Sequence, residues 1–278
     1  MLVGIDVGGS KIVGIKLEKG KIIRRIKLEG SNSLEDFIRK ICFIIREFKA
    51  KRIGIGIPGK IKEKKILFSP NLRFLNNFDF RELERKIKVE IFVENDANCF
   101  ALGEYYLRKG KFKNLIGITI GTGLGGGIII NGKLWKGYGL AGEIGHMSIR
   151  FDGKKCKCGN VGCAEEYLST RAIERLALKY FKKRLAPLDV FKLAKRSDKR
   201  AIEIFEYEGK ILGILISNLQ NIFHINTFIL GGGISKAFEF MKKSMREELK
   251  RRCKISEIPK VYLGKNYSVA YGASLLFK

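Results

Sequence analysis

Apolar and polar positions alternate along the first thirty residues in three short runs. LVGIDVG is apolar up to Asp6, KIVGIKLEKG alternates and turns at Gly20, and KIIRRIKLEG alternates again, which predicts three strands. Ser33 then stands ahead of Leu34, Phe37, Ile38, Ile41, Ile44 and Ile45, a helical spacing with a capping residue at its start. RIGIGIPG and EIFVENDA read as further strands, each ending at Gly, Pro or polar residues, and a helix is predicted from Asn98 to Gly110. LIGITIGTGLGGGIIINGKLW repeats the opening order of strand, glycine turn and strand, as a related second half would.

A loop-rich segment from Lys136 to Cys163 follows, then helical periodicity from Glu165 to about Phe181 and from Leu188 to about Ser217. NTFILGGG reads as a strand leading through Ser235 into a helix, and VYLGKNYSVAYGASLLFK as a strand and a last helix. Strands interleaved with helices predict an α/β chain. No linker interrupts it, so the expected division is soft: residues 1–108, residues 109–265, and a final helix of about 266–278 packing back on the first domain.

Composition changes this picture little. A chain of 278 residues with 45% hydrophobic and 30% charged side chains can build a core, and a disordered or fibrous chain is excluded. The formal net charge of +27 invites nucleic acid as a partner, since a basic face releases counterions from phosphates. The basic residues, however, fall in many short clusters such as Lys62, Lys64 and Lys65 or Lys250 to Arg252, which reads as a solvated Lys-rich surface. Asp6 interrupts any signal-like apolar opening, and the uncharged span 114–132 holds seven glycines, so neither export nor membrane insertion is expected. Three of the six cysteines crowd into residues 156–163, a pattern of a metal site in a reducing, cytoplasmic compartment.

Candidate chemistry concentrates at the turns. Asp6-Val7-Gly8-Gly9-Ser10-Lys11 could bring backbone N–H groups against phosphate oxygens, with Asp6 placed to hold Mg2+; a plain hairpin is the competing reading. Gly121-Thr122-Gly123-Leu124-Gly125-Gly126 matches the dinucleotide fingerprint letter for letter but leads into a strand, Ile128 to Ile130, so that reading is rejected for a second phosphate hairpin. Gly231, Gly232 and Gly233 suit close approach of a flat nucleoside, or merely a tight turn. His146 with Cys156, Cys158 and Cys163 offers one imidazole and three thiolates, a closed tetrahedral set for structural Zn2+. His224 has no such company and is expected to be structural. Acidic residues stand at strand and loop ends: Glu94 and Asp96 around Asn95, Glu143, Glu165 and Glu166. Asp96 could equally cap the helix that follows it.

Taken in order, DVGGSK, GIPG, SPNL, ENDAN, IGTGLGGG, GEIGH, CKCGNVGC with AEEY, and LGGGIS resemble the ROK family of sugar kinases, repressors and uncharacterised reading frames. The resemblance spans nearly the whole chain. It implies a two-domain α/β fold of the actin-like ATPase (ribonuclease H-like) type with a cleft between the domains. It implies an ATP-dependent hexose kinase, with glucose and its 6-hydroxyl as the first expectation and N-acetylmannosamine, fructose or mannose as rivals. Asp96 would be the catalytic base; Gly59, Asn71, Asn95, Asp96, Glu143, His146 and Glu165 would bind the sugar. Gly8, Gly9, Ser10, Lys11, Gly121, Thr122, Gly123 and Gly231 to Gly233 would bind ATP, Asp6 the Mg2+ ion, and His146, Cys156, Cys158 and Cys163 the zinc. A homodimer is implied as well. Family repressors carry a helix-turn-helix ahead of the kinase-like part, and none is expected here because the first phosphate motif begins at residue 4. Two departures bear on the sugar pocket: Arg73 and Phe74 follow Asn71-Leu72 where a Pro-Gly-type turn is usual, and Glu166 replaces a small residue.

Overall fold

The computed structural model describes residues 1–277. Two compact units emerge from its contacts. The first comprises residues 1–113, 127–141 and 264 onward; the second comprises 114–126 and 142–263. Segment 127–141 joins the first unit because its backbone is in intimate contact there: a Cβ on Gly127 would collide with Ala97 and Ala101.

In the first unit, β1 (Leu2–Val7), β2 (Lys11–Glu18) and β3 (Lys21–Glu29) form an antiparallel meander. α1 (Leu34–Phe48) follows, capped by Ser33, whose hydroxyl accepts from the Asp36 N–H at 3.2 Å. β4 (Arg52–Ile57) pairs parallel to β1, the small hairpin β5 (Lys60–Lys62) and β6 (Lys65–Phe68) comes next, and α2 (Phe80–Ile87) leads to β7 (Glu90–Asn95), parallel to β4. The strand order is β3-β2-β1-β4-β7. Register decides what this sheet presents: Asp6 lies opposite Gly56, and Gly56 opposite Glu94, so the carboxyl ends of β1, β4 and β7 share one edge. Open α/β sheets place ligands at that edge.

One face of the sheet is covered by α1, which buries Phe37, Ile41, Ile44, Ile45 and Phe48 against Val3, Ile5, Ile53 and Ile55. At about 1.5–3 kcal/mol for each fully buried side chain, this face dominates the unit's cohesion. α3 (Asp96–Leu107) and α8 (Ser268–Ala273) pack together and belong to the same unit. α8 lies on bare backbone: a Cβ on Gly4, Gly54 or Gly103 would strike the carbonyl oxygens of Ala270, Ala273 and Ser268, and one on Gly272 that of Cys99. Buried Glu104 of α3 secures the junction, accepting from the Lys265 N–H at 2.5 Å and from the Ser268 hydroxyl.

The second sheet has the order β10-β9-β8-β11-β12. It is built from β8 (Leu115–Ile120), β9 (Leu124–Ile130), β10 (Lys133–Leu134), β11 (Thr227–Gly231) and β12 (Lys260–Leu263), with β8, β11 and β12 parallel. Helices α4 (Thr170–Phe181), α5 (Pro187–Lys195), α6 (Lys199–Phe223) and α7 (Phe238–Arg252) complete the second unit. Two of the predicted helices differ from the sequence reading, whereas His224, expected to be structural, is a helix cap. Glu165 lies in a 3-10 turn, and the helix starts only at Thr170, capped by Ser169. The predicted helix 188–217 is two helices, broken where Ser197 adopts a left-handed φ of 62° and Asp198 caps α6, whose N–H groups at Arg200 and Ala201 it accepts. His224 is the exposed left-handed cap that ends α6. Among the described residues no helix is long and apolar enough to cross a membrane.

α6 also carries a fully buried carboxylate, Glu208, neither oxygen of which has a hydrogen-bond partner. Burial pushes its pKa well above the usual carboxylate range, opposed by the charge of Arg175. The unfolded chain loses this proton above its ordinary pKa of about 4.3, whereas the folded chain keeps it to higher pH, so Glu208 lowers stability progressively as pH rises. Glu208→Gln is therefore expected to stabilise the protein at pH 8 by about 1–3 kcal/mol and to lose that advantage near pH 4. Thermal melts of both proteins at the two pH values check this, and an equal gain at both would remove ionisation as the cause.

Candidate active site and metal centre

In the first unit the β1–β2 hairpin closes with the Gly8 N–H donating to the Lys11 carbonyl at 2.9 Å. Gly9, Ser10 and Lys11 are exposed at its tip, and a Cβ on Gly9 would meet nothing within 4 Å. The fold itself does not demand that glycine, so its bareness suits something approaching from outside. Half-buried Asp6 sits just below. Burial first, and the nearby Asp96 carboxylate second, raise its pKa to about 7, while Lys11 opposes them. Two carboxylates in one field favour sharing a cation, so Asp6 fits the role of holding Mg2+.

The turn from β7 into α3 resolves the ambiguity over Asp96. Asn95, not Asp96, caps the helix: its Oδ1 accepts from the N–H groups of Ala97 (2.9 Å) and Asn98 (3.2 Å), and its Nδ2 donates to the Gly59 carbonyl at 3.2 Å. Asp96 is the first helical residue, with Oδ1 accepting from the Ala97 N–H at 3.0 Å. Gly59 holds a φ of 139°, and a side chain there would crowd the Phe68 carbonyl, so the GIPG turn needs its last glycine. Asn71 is exposed. The residues after it, Arg73 to Leu75, form a 3-10 turn, and Phe74 packs on Phe37 at 6.4 Å between ring centroids, so this departure serves the core.

In the second unit, Gly121 to Gly123 make the turn between β8 and β9, with Thr122 exposed. Glu165 reaches this turn: its Oε2 accepts from the Leu124 N–H at 3.0 Å, and Arg171 holds Oε1 at 2.8 Å. Glu166 points elsewhere, buried and paired with Arg171 and Arg175. Gly231 ends β11, and Gly232 takes a φ of 83° against the Ile120 carbonyl. Beside these two turns lies a cavity of about 280 Å3 whose lining includes Gly121, Thr170, Phe191, Phe205, Gly233 and Lys236. Sequence reasoning found the glycines but missed Phe191, Phe205 and Lys236, because aromatics at helical spacing read as core.

The four metal-ligand candidates converge. Their ligand atoms all lie within 4.8 Å of one another, with Cys158 Sγ to Cys163 Sγ at 3.7 Å and His146 Nδ1 to Cys156 Sγ at 3.8 Å. Sulfurs bound to one tetrahedral zinc at about 2.3 Å stand about 3.8 Å apart, so the set fits that ion. Local backbone explains the convergence: the Gly159 N–H donates to the Cys156 carbonyl, the Cys156 N–H to the Asn160 carbonyl, and Ser148 bridges to Cys163. Crowding shows in the acidities. Burial and the neighbouring thiols push Cys163 up to about 12, a shift that a bound cation would reverse. The other imidazole nitrogen of His146, Nε2, stands 3.9 Å from Glu143 Oε2, so a metal on Nδ1 would fix the ring that faces Glu143.

Comparison with known proteins fits this arrangement. The ROK family model matches residues 2–278. A glucokinase of Thermotoga maritima is 33% identical, covering 89% of this chain and 86% of that protein. A xylose repressor of Bacillus subtilis is 37% identical, covering 90% of this chain and 68% of the repressor. An N-acetyl-D-glucosamine kinase of Histophilus somni is 31% identical, covering 100% and 99%. Among solved structures, a ROK glucokinase of Streptomyces griseus in complex with glucose and AMPPNP superposes with a TM-score of 0.86 at 29% identity, covering 99% of this chain and 98% of that one. With a glycine hairpin in each unit, its capped Asn95-Asp96 turn and its His-Cys cluster, this α/β chain of the actin-like ATPase type belongs to the ROK family.

Proposed function

We propose that this chain is an ATP-dependent hexose kinase that transfers the γ-phosphoryl group of ATP to a sugar hydroxyl, with the 6-hydroxyl of glucose as the first candidate. The observation that carries this reading is the pair of carboxylates at one sheet edge, Asp6 near the end of β1 and Asp96 opening α3, close enough for Asp96 to raise the pKa of Asp6. Phosphoryl transfer asks for little else: one carboxylate to accept the attacking hydroxyl's proton, another to hold Mg2+, and N–H groups around the phosphates. Mg2+, when bound, neutralises charge on the phosphates. Asp96 orients the sugar hydroxyl and takes its proton, Asn95 and Gly59 support it, and Glu143, His146 and Glu165 bind the remaining hydroxyls. Each unit offers its own glycine hairpin to phosphate oxygens, Gly8-Gly9-Ser10-Lys11 in the first and Gly121-Thr122-Gly123 in the second, and the cavity beside Gly233 in the second unit receives the nucleoside.

A coupled assay with ATP and Mg2+ over glucose, mannose, fructose, N-acetylglucosamine and N-acetylmannosamine tests the reading, glucose being expected to give the highest kcat/KM. A second reading, a sugar-responsive regulator, is favoured by the repressor relative. Sugar binding without turnover on any hexose would select it.

A further inference from the structure

Glu94 is the penultimate residue of β7, directly before the cap Asn95, and is buried. It is used by nothing described so far. Its Oε1 accepts from the Asn95 N–H at 2.8 Å and from Asn98 Nδ2 at 3.1 Å, while its Oε2 stands 2.5 Å from Lys136 Nζ. One carboxylate therefore ties the last peptide of the strand to the first turn of the helix, and Asp96 lies between those two anchor points. Lys136 comes from a separate segment, in a tight turn whose Gly139 and Ala141 N–H groups both donate to its carbonyl. Its side chain is half exposed, whereas that of Glu94 is 10% exposed.

We infer that Glu94 is a positioning residue for Asp96, and that Lys136, held on Oε2, keeps Oε1 aimed as a double acceptor at Asn95 and Asn98. The inference rests on the reading of Asp96 as the base and extends it to what holds the base in place. Residue types support it. A neutral amide at position 94 would present an N–H2 or a single carbonyl oxygen in place of two acceptors, so either the Asn95 and Asn98 donors or the Lys136 ammonium would lose a partner. A catalytic group must be held within about 0.5 Å of its working position, and a 1 Å error can cost on the order of 100-fold in rate. A purely structural reading makes a different forecast. Half-exposed ion pairs add little to stability, so loss of Lys136 should then leave turnover alone.

The test is steady-state kinetics on the hexose that the wild-type protein phosphorylates, with thermal melts, for Glu94→Gln, Lys136→Met, Lys136→Arg and the double variant Glu94→Gln with Lys136→Met. Glu94→Gln is expected to lower kcat on the order of 100-fold and Lys136→Met about 10-fold, with the KM for the hexose changed less than about threefold. Melting temperatures should stay near wild type for Lys136→Met, Lys136→Arg should recover most of the lost turnover, and the double variant should be no slower than Glu94→Gln alone. Wild-type kcat in Lys136→Met, or additive losses in the double variant, would overturn the inference while leaving the kinase reading standing. A kcat loss that merely tracks a fall in melting temperature overturns it too. A wild-type protein that phosphorylates no hexose would instead remove the kinase reading, and this inference with it.

Discussion

Replacing Asp96 by Asn is expected to lower kcat for hexose phosphorylation by roughly 100- to 10,000-fold, the usual worth of a general base, while the hexose still binds. The substitution keeps shape and removes the ability to take a proton. It should also spare the fold, since Asn95 and not Asp96 supplies the cap, and the Ala97 N–H can still donate to an amide oxygen. Turnover by single-turnover quench, affinity by calorimetry and a melting curve separate the three effects. Asp96→Asn with more than a tenth of wild-type turnover would place the base elsewhere. Asn95→Ala makes a useful contrast, because it removes two capping bonds and the Gly59 link together and should weaken both stability and sugar binding.

Removal of zinc is expected to have the larger structural consequence. One zinc per chain is anticipated by elemental analysis, bound by His146, Cys156, Cys158 and Cys163. Structural zinc contributes on the order of 10 kcal/mol where folding and binding are coupled, so Cys163→Ala or exhaustive chelation should melt the loop from Gly142 to Cys163. Kinetics should then show a signature unlike that of Asp96→Asn: KM for the hexose rises steeply, because His146 and Glu143 lose their fixed relation. Activity that survives complete demetallation with unchanged KM, or a purified chain with no bound zinc, would sink this assignment.

What the sequence made legible follows from how local each signal is. The long strands of both sheets, Ser33 as a cap and the convergence of His146 with three cysteines depend on spacings within short stretches of chain, and the folded chain has them as read, with the two-residue β10 added. The break at Ser197 did not show, because the apolar period from Leu188 to Ser217 runs through it and the Asp198 cap looks like any surface aspartate. α2 was overlooked although Asp79 caps it and Phe80 and Leu83 are buried, since eight residues give periodicity little room. Phe191, Phe205 and Lys236 needed the fold, for nothing in their neighbourhoods distinguishes a cavity wall from packed core. Segment 127–141 needed it too: a glycine that admits another backbone leaves no hydrophobic pattern behind.

The bed of glycines under α8 reaches beyond stability into the order of synthesis. Gly4 and Gly54 are made more than 200 residues ahead of the Ala270 and Ala273 carbonyls that their bareness admits. At about 5–20 residues per second, the 266 positions between Gly4 and Ala270 take roughly 15 to 50 s to add, and over that time one side of the first sheet waits for its partner. The first unit is begun before the second and finished after it. A chain halted after β4 but short of residue 268 would hold its opening meander and leave that groove unfilled, offering chaperones and proteases a surface that α8 covers in the folded unit.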